Sequence, residues 1–520
     1  PKAMLEKIDA ALKLVTFMAS GKVTTEVTFD KTKARVVAVG NKRNMQQGLH
    51  YHETFAATPK TETSNVLSSI VVELKLKQKA FDIKNAFCWA EQKIKLALDY
   101  PFGMPQYNAY GQKMYMALLK NTYGKPDGSH LFEKERNTYW MQVLNEDGFW
   151  CTTPYMDQSL FYVELTVSLC TIPKLLDDIA AEAVTDPRLK SMDMIQTWML
   201  VHTDDAKMAG FSDAIMEYIM TSSDEKWKVK EVDPLYMLGS QRILTIDKGI
   251  WKMEHVMPLY VIGLVKTWQE YLVLAGWEHS CPKTPAPTKQ MLTLHDPEGK
   301  ITEAEHKLVL KRGYMNLCGG LVWPIKQCYP EMLYGVSNIT TVMSKPTEKA
   351  WSYAMHMLAW MRENKDRGIL FSSDNDCTPM ATVDASLEVD LHDGRTRAGH
   401  DIVMSGGPVV ARSAKLQKVA FAIPGAEYMQ LRNCSVDVIW LRQLLKEIGL
   451  SSWITEPTEI HCDSSGAIDW AKFGKITVGN KHIALAYHEV QQWRRERQFM
   501  CLKVLTKFNK RDMYTKSPTT

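Results

Sequence analysis

Two aspartates stand side by side, Asp204 and Asp205, in the run Met199-Leu-Val-His-Thr-Asp-Asp-Ala-Lys-Met208. Neighbouring carboxylates repel one another unless a cation lies close. Burying such a pair without compensation is costly, so it is exposed, protonated or neutralised by a divalent metal. Magnesium takes oxygen ligands and needs only one or two carboxylates, filling its shell with water and phosphate oxygens. On spacing alone an Asp-Asp step is most often a turn, so its meaning depends on acids elsewhere. Asp82 lies in Phe81-Asp-Ile-Lys-Asn-Ala-Phe87, at the end of a second apolar run. Two strands each delivering carboxylates to one sheet edge make a two-metal site, which clamps the attacking and leaving oxygens of a phosphoryl transfer. A further set of acids follows: Asp384 in Ala381-Thr-Val-Asp-Ala-Ser386, Glu427, Asp463 at the end of Glu459-Ile-His-Cys-Asp463, and Asp512 in Lys510-Arg-Asp-Met-Tyr-Thr-Lys516. Four acids at strand ends and helix starts again suit two hard metals and a phosphodiester.

The elements that must carry these acids can be read from periodicity. Val23 to Asp30 and Lys33 to Val39 alternate as strands, the second stopped by Gly40. Thr61 to Lys75 is expected as a helix with Val66, Ile70 and Leu74 on one face, followed by a short strand over Lys79–Lys84. Residues 103–130 are expected to be mostly loop, Glu133–Leu144 helical and Ser159–Val163 a strand. Residues 170–195 form a partly helical excursion carrying Asp177-Asp178, a second acid pair assigned to a surface helix. Thr197–His202 is the strand leading into Asp204, and Asp213–Trp227 a helix. Prolines at 282, 285, 287 and 297 mark a linker, and a helical stretch over Thr302–Arg362 is expected to break near Pro324 and Pro330. Glu427 opens a helix whose apolar positions Leu431, Cys434, Val438, Leu441, Leu445 and Ile448 step by three and four, with Glu427 off that buried face. Ser465–Lys472 is a further helix.

A chain of 520 residues should divide into about three domains. It contains no apolar run of membrane-spanning length, so no membrane partner is expected. Its start, Pro1-Lys-Ala-Met-Leu-Glu, reads as neither signal peptide nor translation start, as in a segment of a larger polypeptide. The ten cysteines include no Cys-x-x-Cys, which argues against zinc and disulfides and fits a reducing compartment. Net charge is only +4, but residues 31–60 set six basic side chains against Glu53, and residues 491–516 set eight against Glu496 and Asp512. Local basic stretches suit phosphate-backbone contacts, although any one of them is more often a solvated face.

The ordered blocks Lys33-Ala-Arg-Val-Val-Ala-Val-Gly40, Gly48-Leu-His-Tyr-His-Glu-Thr-Phe-Ala56, Phe81–Phe87, Tyr123-Gly124, Asp157-Gln-Ser-Leu-Phe-Tyr162, His202–Asp205 and Leu235-Tyr-Met-Leu-Gly239 carry a family resemblance. Together they resemble the reverse transcriptase of copia-type LTR retrotransposons, and Tyr314–Leu321 and Ser344–Thr347 extend the likeness. Gly406-Gly-Pro408, Ser413-Ala-Lys415, Ala426-Glu-Tyr428, Trp440-Leu-Arg442, Cys462-Asp463 and Lys481-His-Ile483 resemble the ribonuclease H domain of the same family. The resemblance covers nearly the whole chain. It implies a multidomain α+β and α/β fold: fingers and palm over 1–245, thumb and connection over 246–372, and a ribonuclease H-like domain over 373–520.

By that resemblance, Asp82, Asp204 and Asp205 would hold two Mg2+ ions, with Mn2+ as a substitute, in an RNA-directed DNA polymerase. Lys33 and Arg35 would grip the incoming dNTP, Phe87 would gate its sugar, and Leu238-Gly239 would position the primer end. Asp384, Glu427 and Asp463 would hold the metals of a hybrid-cutting nuclease, with Asp512 a fourth acid and His482 and His488 near phosphate. Partners would be an RNA template, a DNA primer, an RNA–DNA hybrid, dNTPs and other Pol segments such as integrase. The implied location is a cytoplasmic virus-like particle, with the nucleus as a second compartment. Departures from the family pattern are His202-Thr203 where Tyr-Val is usual, Asp127 where a template-contacting glutamine is usual, and Ile423–Gly425 ahead of the Ala426-Glu427 step. Two rival readings stay open: a decayed or domesticated copy that folds and binds nucleic acid without efficient catalysis, and a purely architectural binder, which would not need all seven acids.

Overall fold

In the computed structural model, residues 38, 45–99, 106–296, 299–420, 423–473, 484–505 and 512–516 are described. The strands expected over Val23–Asp30 and Lys33–Val39, and the residues Lys33, Arg35 and His482, lie outside them. The chain opens with helix α1 (Thr61–Leu74), strands β1 (Lys77–Ile83), β2 (Glu91–Leu98) and β3 (Met116–Lys120), and helix α2 (Gly128–Val143). Then come β4 (Phe149–Thr152), β5 (Leu160–Thr166), α3 (Pro173–Thr185), β6 (Met194–His202), β7 (Asp205–Gly210), α4 (Asp213–Trp227) and β8 (Val229–Val232). A second stretch runs β9 (Tyr236–Met237), β10 (Ser240–Asp247), β11 (Ile250–Val256), α5 (Pro258–Leu274), α6 (Glu303–Lys311), α7 (Tyr314–Cys328), α8 (Leu333–Thr341) and α9 (Glu348–Glu363). The remainder is β12 (Ile369–Ser372), β13 (Met380–Val389), β14 (Thr396–Met404), β15 (Gly407–Lys415), α10 (Ile423–Glu447), β16 (Thr458–Cys462), α11 (Ser465–Phe473), α12 (Ala484–Arg495), β17 (Phe499–Lys503) and α13 (Asp512–Thr515).

Three larger sheets organise this mixed α+β architecture. An antiparallel sheet of order β4-β5-β6-β7-β1-β8 places β1 beside β7, although 121 residues lie between Ile83 and Asp205 in the sequence.

 The intervening chain supplies β4, β5 and β6, so the acids of β1 and β7 meet only through the sheet. A smaller antiparallel sheet, β12-β11-β10-β9, ends on the strand that precedes residue 373. The last sheet, β15-β14-β13-β16-β17, is antiparallel from β15 to β13 and parallel from β13 to β17. Parallel neighbours need crossover connections, which α10 and the α11–α12 segment provide.

Helix α1 holds the sheets together. Its apolar Val66, Leu67, Ile70, Val71 and Val72 are buried, and so are Thr63, Ser64, Asn65, Ser68 and Ser69. These polar groups find partners in every direction. Thr63 donates to Asp157 at 2.5 Å, Arg242 donates to Ser64, and Ser68 meets His255 at 2.7 Å. Asn65 donates to the Pro408 carbonyl at 3.4 Å, and Ser69 meets Ser405 at 2.8 Å. The single apolar face expected from the sequence is thus a helix enclosed on most sides.

Local signals set several boundaries. Ser212 caps α4 by accepting from Ile215 N–H at 3.3 Å, and Thr347 caps α9 by accepting from Ala350 N–H at 3.2 Å. The described residues 106–130 are mostly loop, as expected, apart from β3 and the first turn of α2. One expectation needs correction. Pro324 does not break the helical stretch but lies inside α7, whereas Pro330 does begin a new turn. The pair Asp177-Asp178 is exposed on α3.

Helix α10 packs the last sheet against the first. Trp198 of β6 donates to the Ile448 carbonyl at 3.1 Å, and Trp440 donates to the Met156 carbonyl at 3.2 Å. Gly449, at φ +80°, ends the helix where a Cβ would stand 2.5 Å from the Tyr162 hydroxyl. One continuous apolar core therefore runs from β5 and β6 into α10 and β16.

Candidate active sites

The first acid cluster is built on a hairpin. His202 and Asp205 face each other across β6 and β7, joined by the two-residue turn Thr203-Asp204. Thr203 sits at φ +56°, the left-handed region that a β-branched residue resists. Arg136 of α2 holds this turn, donating from Nη1 to the Thr203 carbonyl at 2.7 Å. Arg136 is itself buried, lies over the Trp140 and Phe161 rings, and donates to Asn137 at 2.9 Å. Burial lowers its pKa to about 10, opposed by the charges of Glu133 and Asp204. Nothing local in the sequence of α2 marks this role: a lone arginine among alternating charges reads as a solvated face.

Asp82 on β1 is the register partner of Asp205 on β7. Asp82 and Asp204 are half-buried, and Asp205 opens to solvent at the rim. The Asp205 carboxyl is pushed up to about 6, first by lost hydration against the protein wall, then by the charges of Asp204 and Asp82, with His202 opposing. Converging carboxylates of which one is pushed up by the other two are a donor set that a hard divalent ion neutralises, so the residues present fit magnesium.

Around this cluster, Phe87 follows β1 through the left-handed Asn85 and meets Tyr123 edge-on at 5.3 Å. Leu238 and Gly239, at φ +53° and +74°, form the two-residue turn between Met237 and Ser240. A cavity of 810 Å³ lies between this turn and the acid hairpin, lined among others by His202, Asp205, Lys207, Tyr236, Leu238 and Trp323. Asp127 is buried at the start of α2, with its carboxylate 3.0 Å from the equally buried Lys125 ammonium. Lys125 also donates to Gln92 at 2.5 Å. The acid at this position is thus neutralised inside the protein rather than presented at the surface.

The second cluster gathers acids from β13, α10 and the end of β16. Asp384 is buried on β13, opposite Gly399 of β14. Glu427 accepts from the Ala385 N–H at 3.2 Å, while its Oε2 is buried without a hydrogen-bond partner. Donor atoms of Glu427, Cys462 and Asp463 all lie within 4.8 Å of one another. Glu427 was expected at the start of its helix and off the buried face. It lies in the second turn of α10 and is buried, because the helix is enclosed by the sheet and by α11 and α12. Its carboxyl is pushed up to about 8 by burial, then by Asp384 and Asp463, against the Ala385 hydrogen bond and the charge of Lys516. Asp463 stands just beyond β16 rather than within it.

The buried, unpartnered Glu427 oxygen beside two further carboxylates fits a hard cation. Cys462 does not belong to that set: burial raises its thiol pKa, so it stays protonated, and a soft sulfur is a poor partner for magnesium. Asp512 is the first residue of α13, and His488 is exposed on α12. Sequence reading passed over Thr515, whose hydroxyl donates to Asp384, and Lys516, whose ammonium stands 4.0 Å from the same carboxylate.

No family model matches the chain. Its homologues are retrovirus-related Pol polyproteins of plant transposons. It is 23% identical over 472 residues to that of transposon RE2 from Arabidopsis thaliana, covering 90% of this chain and 28% of the relative. It is 23% identical over 492 residues to that of transposon TNT 1-94 from Nicotiana tabacum, covering 93% of this chain and 33% of the relative. The chain therefore spans about a third or less of the curated relatives it matches. Among solved structures, a foamy viral protease-reverse transcriptase in complex with dsDNA aligns at 11% identity and TM-score 0.36, over 84% of this chain and 70% of that one. LC11-RNase H1 in complex with an RNA/DNA hybrid aligns at 15% identity and TM-score 0.21, over 26% of this chain and 93% of that one.

Proposed function

We propose, starting from its kinship with transposon Pol polyproteins, that this chain is their polymerase and ribonuclease H portion: an RNA-directed DNA polymerase joined to a hybrid-cutting nuclease. The observation that carries this reading is the presence of two separate carboxylate clusters, each assembled from distant sequence and each raising the proton affinity of one member, Asp205 in the first and Glu427 in the second. Residues 1–245 would be fingers and palm, 246–372 thumb and connection, and 373–520 the nuclease domain.

Magnesium, or manganese in its place, would supply Lewis-acid activation of the attacking oxygen and neutralise charge on the phosphate in both clusters. Asp82, Asp204 and Asp205 would hold it in the palm. Asp384, Glu427 and Asp463 would hold it in the nuclease, with Asp512 as a further acid. Arg136 fixes the turn bearing Asp204, so the two carboxylates of that hairpin keep their spacing. Phe87 would exclude a 2′-hydroxyl by volume, Leu238-Gly239 would support the primer end, and Lys33 and Arg35 would bind the triphosphate. Recognition of template, primer and hybrid would rest on backbone charge and helix shape. Integrase and other Pol segments, and a cytoplasmic particle with access to the nucleus, complete the proposed setting.

Purified protein on a primed RNA template with Mg2+ or Mn2+ tests the polymerase reading. Extension that is absent, or that survives Asp204→Asn with Asp205→Asn, overturns it in favour of a decayed copy or a binder. Cleavage of a labelled RNA–DNA hybrid, lost on Asp463→Asn, tests the nuclease in the same preparation.

A further inference from the structure

The C-terminal segment Met513–Lys516 is docked on the nuclease carboxylates by packing that the sheet makes room for. Tyr514 is fully buried, its backbone carbonyl accepts from the Ser413 hydroxyl at 2.6 Å, and its own hydroxyl meets Asp401 at 3.3 Å. Gly399, directly opposite Asp384 on β14, leaves the space it occupies: a Cβ there would stand 2.4 Å from the Tyr514 Cβ. The next residue, Thr515, is buried and donates its hydroxyl to Asp384. Lys516 then places its ammonium 4.0 Å from the same Asp384 oxygen, and its charge also acts on Glu427.

We propose that Lys516 is a tethered counter-ion of the nuclease carboxylates, held by Tyr514 and Thr515, and that a divalent ion entering the cluster must displace it. This rests on the metal-binding reading of Asp384, Glu427 and Asp463. The physical reason is charge balance. A single ammonium partly offsets three converging acids, and a divalent ion offsets them better, so the two compete for the same field. The Lys516 side chain keeps 37% of its exposure, so the competition is modest and its ammonium can turn toward solvent while Tyr514 and Thr515 stay docked.

The test is Mn2+ binding to the full chain, followed by electron paramagnetic resonance of the free ion, in an Asp204→Asn/Asp205→Asn background that removes the other cluster. Lys516→Gln should bind Mn2+ about two- to fivefold more tightly than the parent, the size expected for a half-exposed ion pair. Lys516→Arg, which keeps the charge, should match the parent. In chelator, Lys516→Gln should melt at a lower temperature than either. Equal or weaker Mn2+ binding by Lys516→Gln overturns the proposal. If parent binding is unchanged by Asp463→Asn, the metal-binding reading falls as well. If binding depends on Asp463 and Lys516→Gln equals the parent, only the counter-ion role falls.

Discussion

Asp82 and Asp205 face each other on neighbouring antiparallel strands, and the 2.9 Å bond from Ile83 N–H to the Asp204 carbonyl makes theirs the narrow, non-hydrogen-bonded kind of pair. Like charges at that spacing destabilise a sheet. Asp205→Asn should therefore raise the melting temperature in chelator while lowering primer extension by about three powers of ten or more, as several kcal/mol of charge stabilisation is lost. Calorimetry and extension on the same samples check both signs. A variant that loses activity together with stability would show that Asp205 is structural.

Arg136 reaches the acid hairpin from another element, and its loss should be felt there. Arg136→Met removes the bond to the Thr203 carbonyl and should cost about 2 kcal/mol of stability. Extension should fall while primer–template affinity, measured by fluorescence anisotropy, stays within twofold or so of the parent. Thr203→Asn, a residue that tolerates positive φ, should raise stability by about 1 kcal/mol in urea titrations.

The Lys125–Asp127 pair is closed off from solvent. Lys125→Met leaves a buried carboxylate alone and should cost about 3–5 kcal/mol. The double variant Lys125→Met/Asp127→Asn should recover most of that loss. A double-mutant cycle by chemical denaturation measures the coupling. No recovery would mean that Lys125 stabilises through Gln92 rather than Asp127.

Glu427 predicts a pH dependence. Its carboxyl, ordinarily near 4.5, is pushed up to about 8 in the folded protein, chiefly by burial. The folded state therefore binds this proton more tightly than the unfolded chain. Stability from this group is full below about pH 4.5 and declines as pH rises toward about 8. In chelator, melting temperature should fall across that window, and Glu427→Gln should flatten the decline. Added Mg2+ should restore stability at the alkaline end. A profile identical in the Gln variant would assign the dependence to other groups.

Much of the element order was legible in the sequence because the first sheet is patterned on a single partner at a time. Helix α4 begins at Asp213 and ends at Trp227 as expected, and the runs ending near Asp82 and His202 are strands. Where an element packs on several sides, the pattern misled. Helix α1 buries five polar residues that a one-face reading assigns to solvent, and Glu427 is buried for the same reason. The groups that hold the sites in place were the least legible. Arg136, Thr515 and Lys516 act through a carbonyl or a carboxylate brought close only by the fold, and a single sequence carries no spacing signal for such contacts.

Helix α1 bonds across very long sequence separations, Ser69 to Ser405 and Asn65 to Pro408. These two partners are therefore still unmade when the ribosome has synthesised the first three hundred or so residues, although Asp157, Arg242 and His255 are already present. Until they arrive, Asn65 and Ser69 have only water to bond, and the side of the helix that meets β15 has no dry surroundings to enter. Maturation of the amino-terminal half thus waits on the carboxy-terminal quarter. Nascent chains arrested before residue 405 should be cut by protease within residues 61–74, whereas chains extending past 415 should resist.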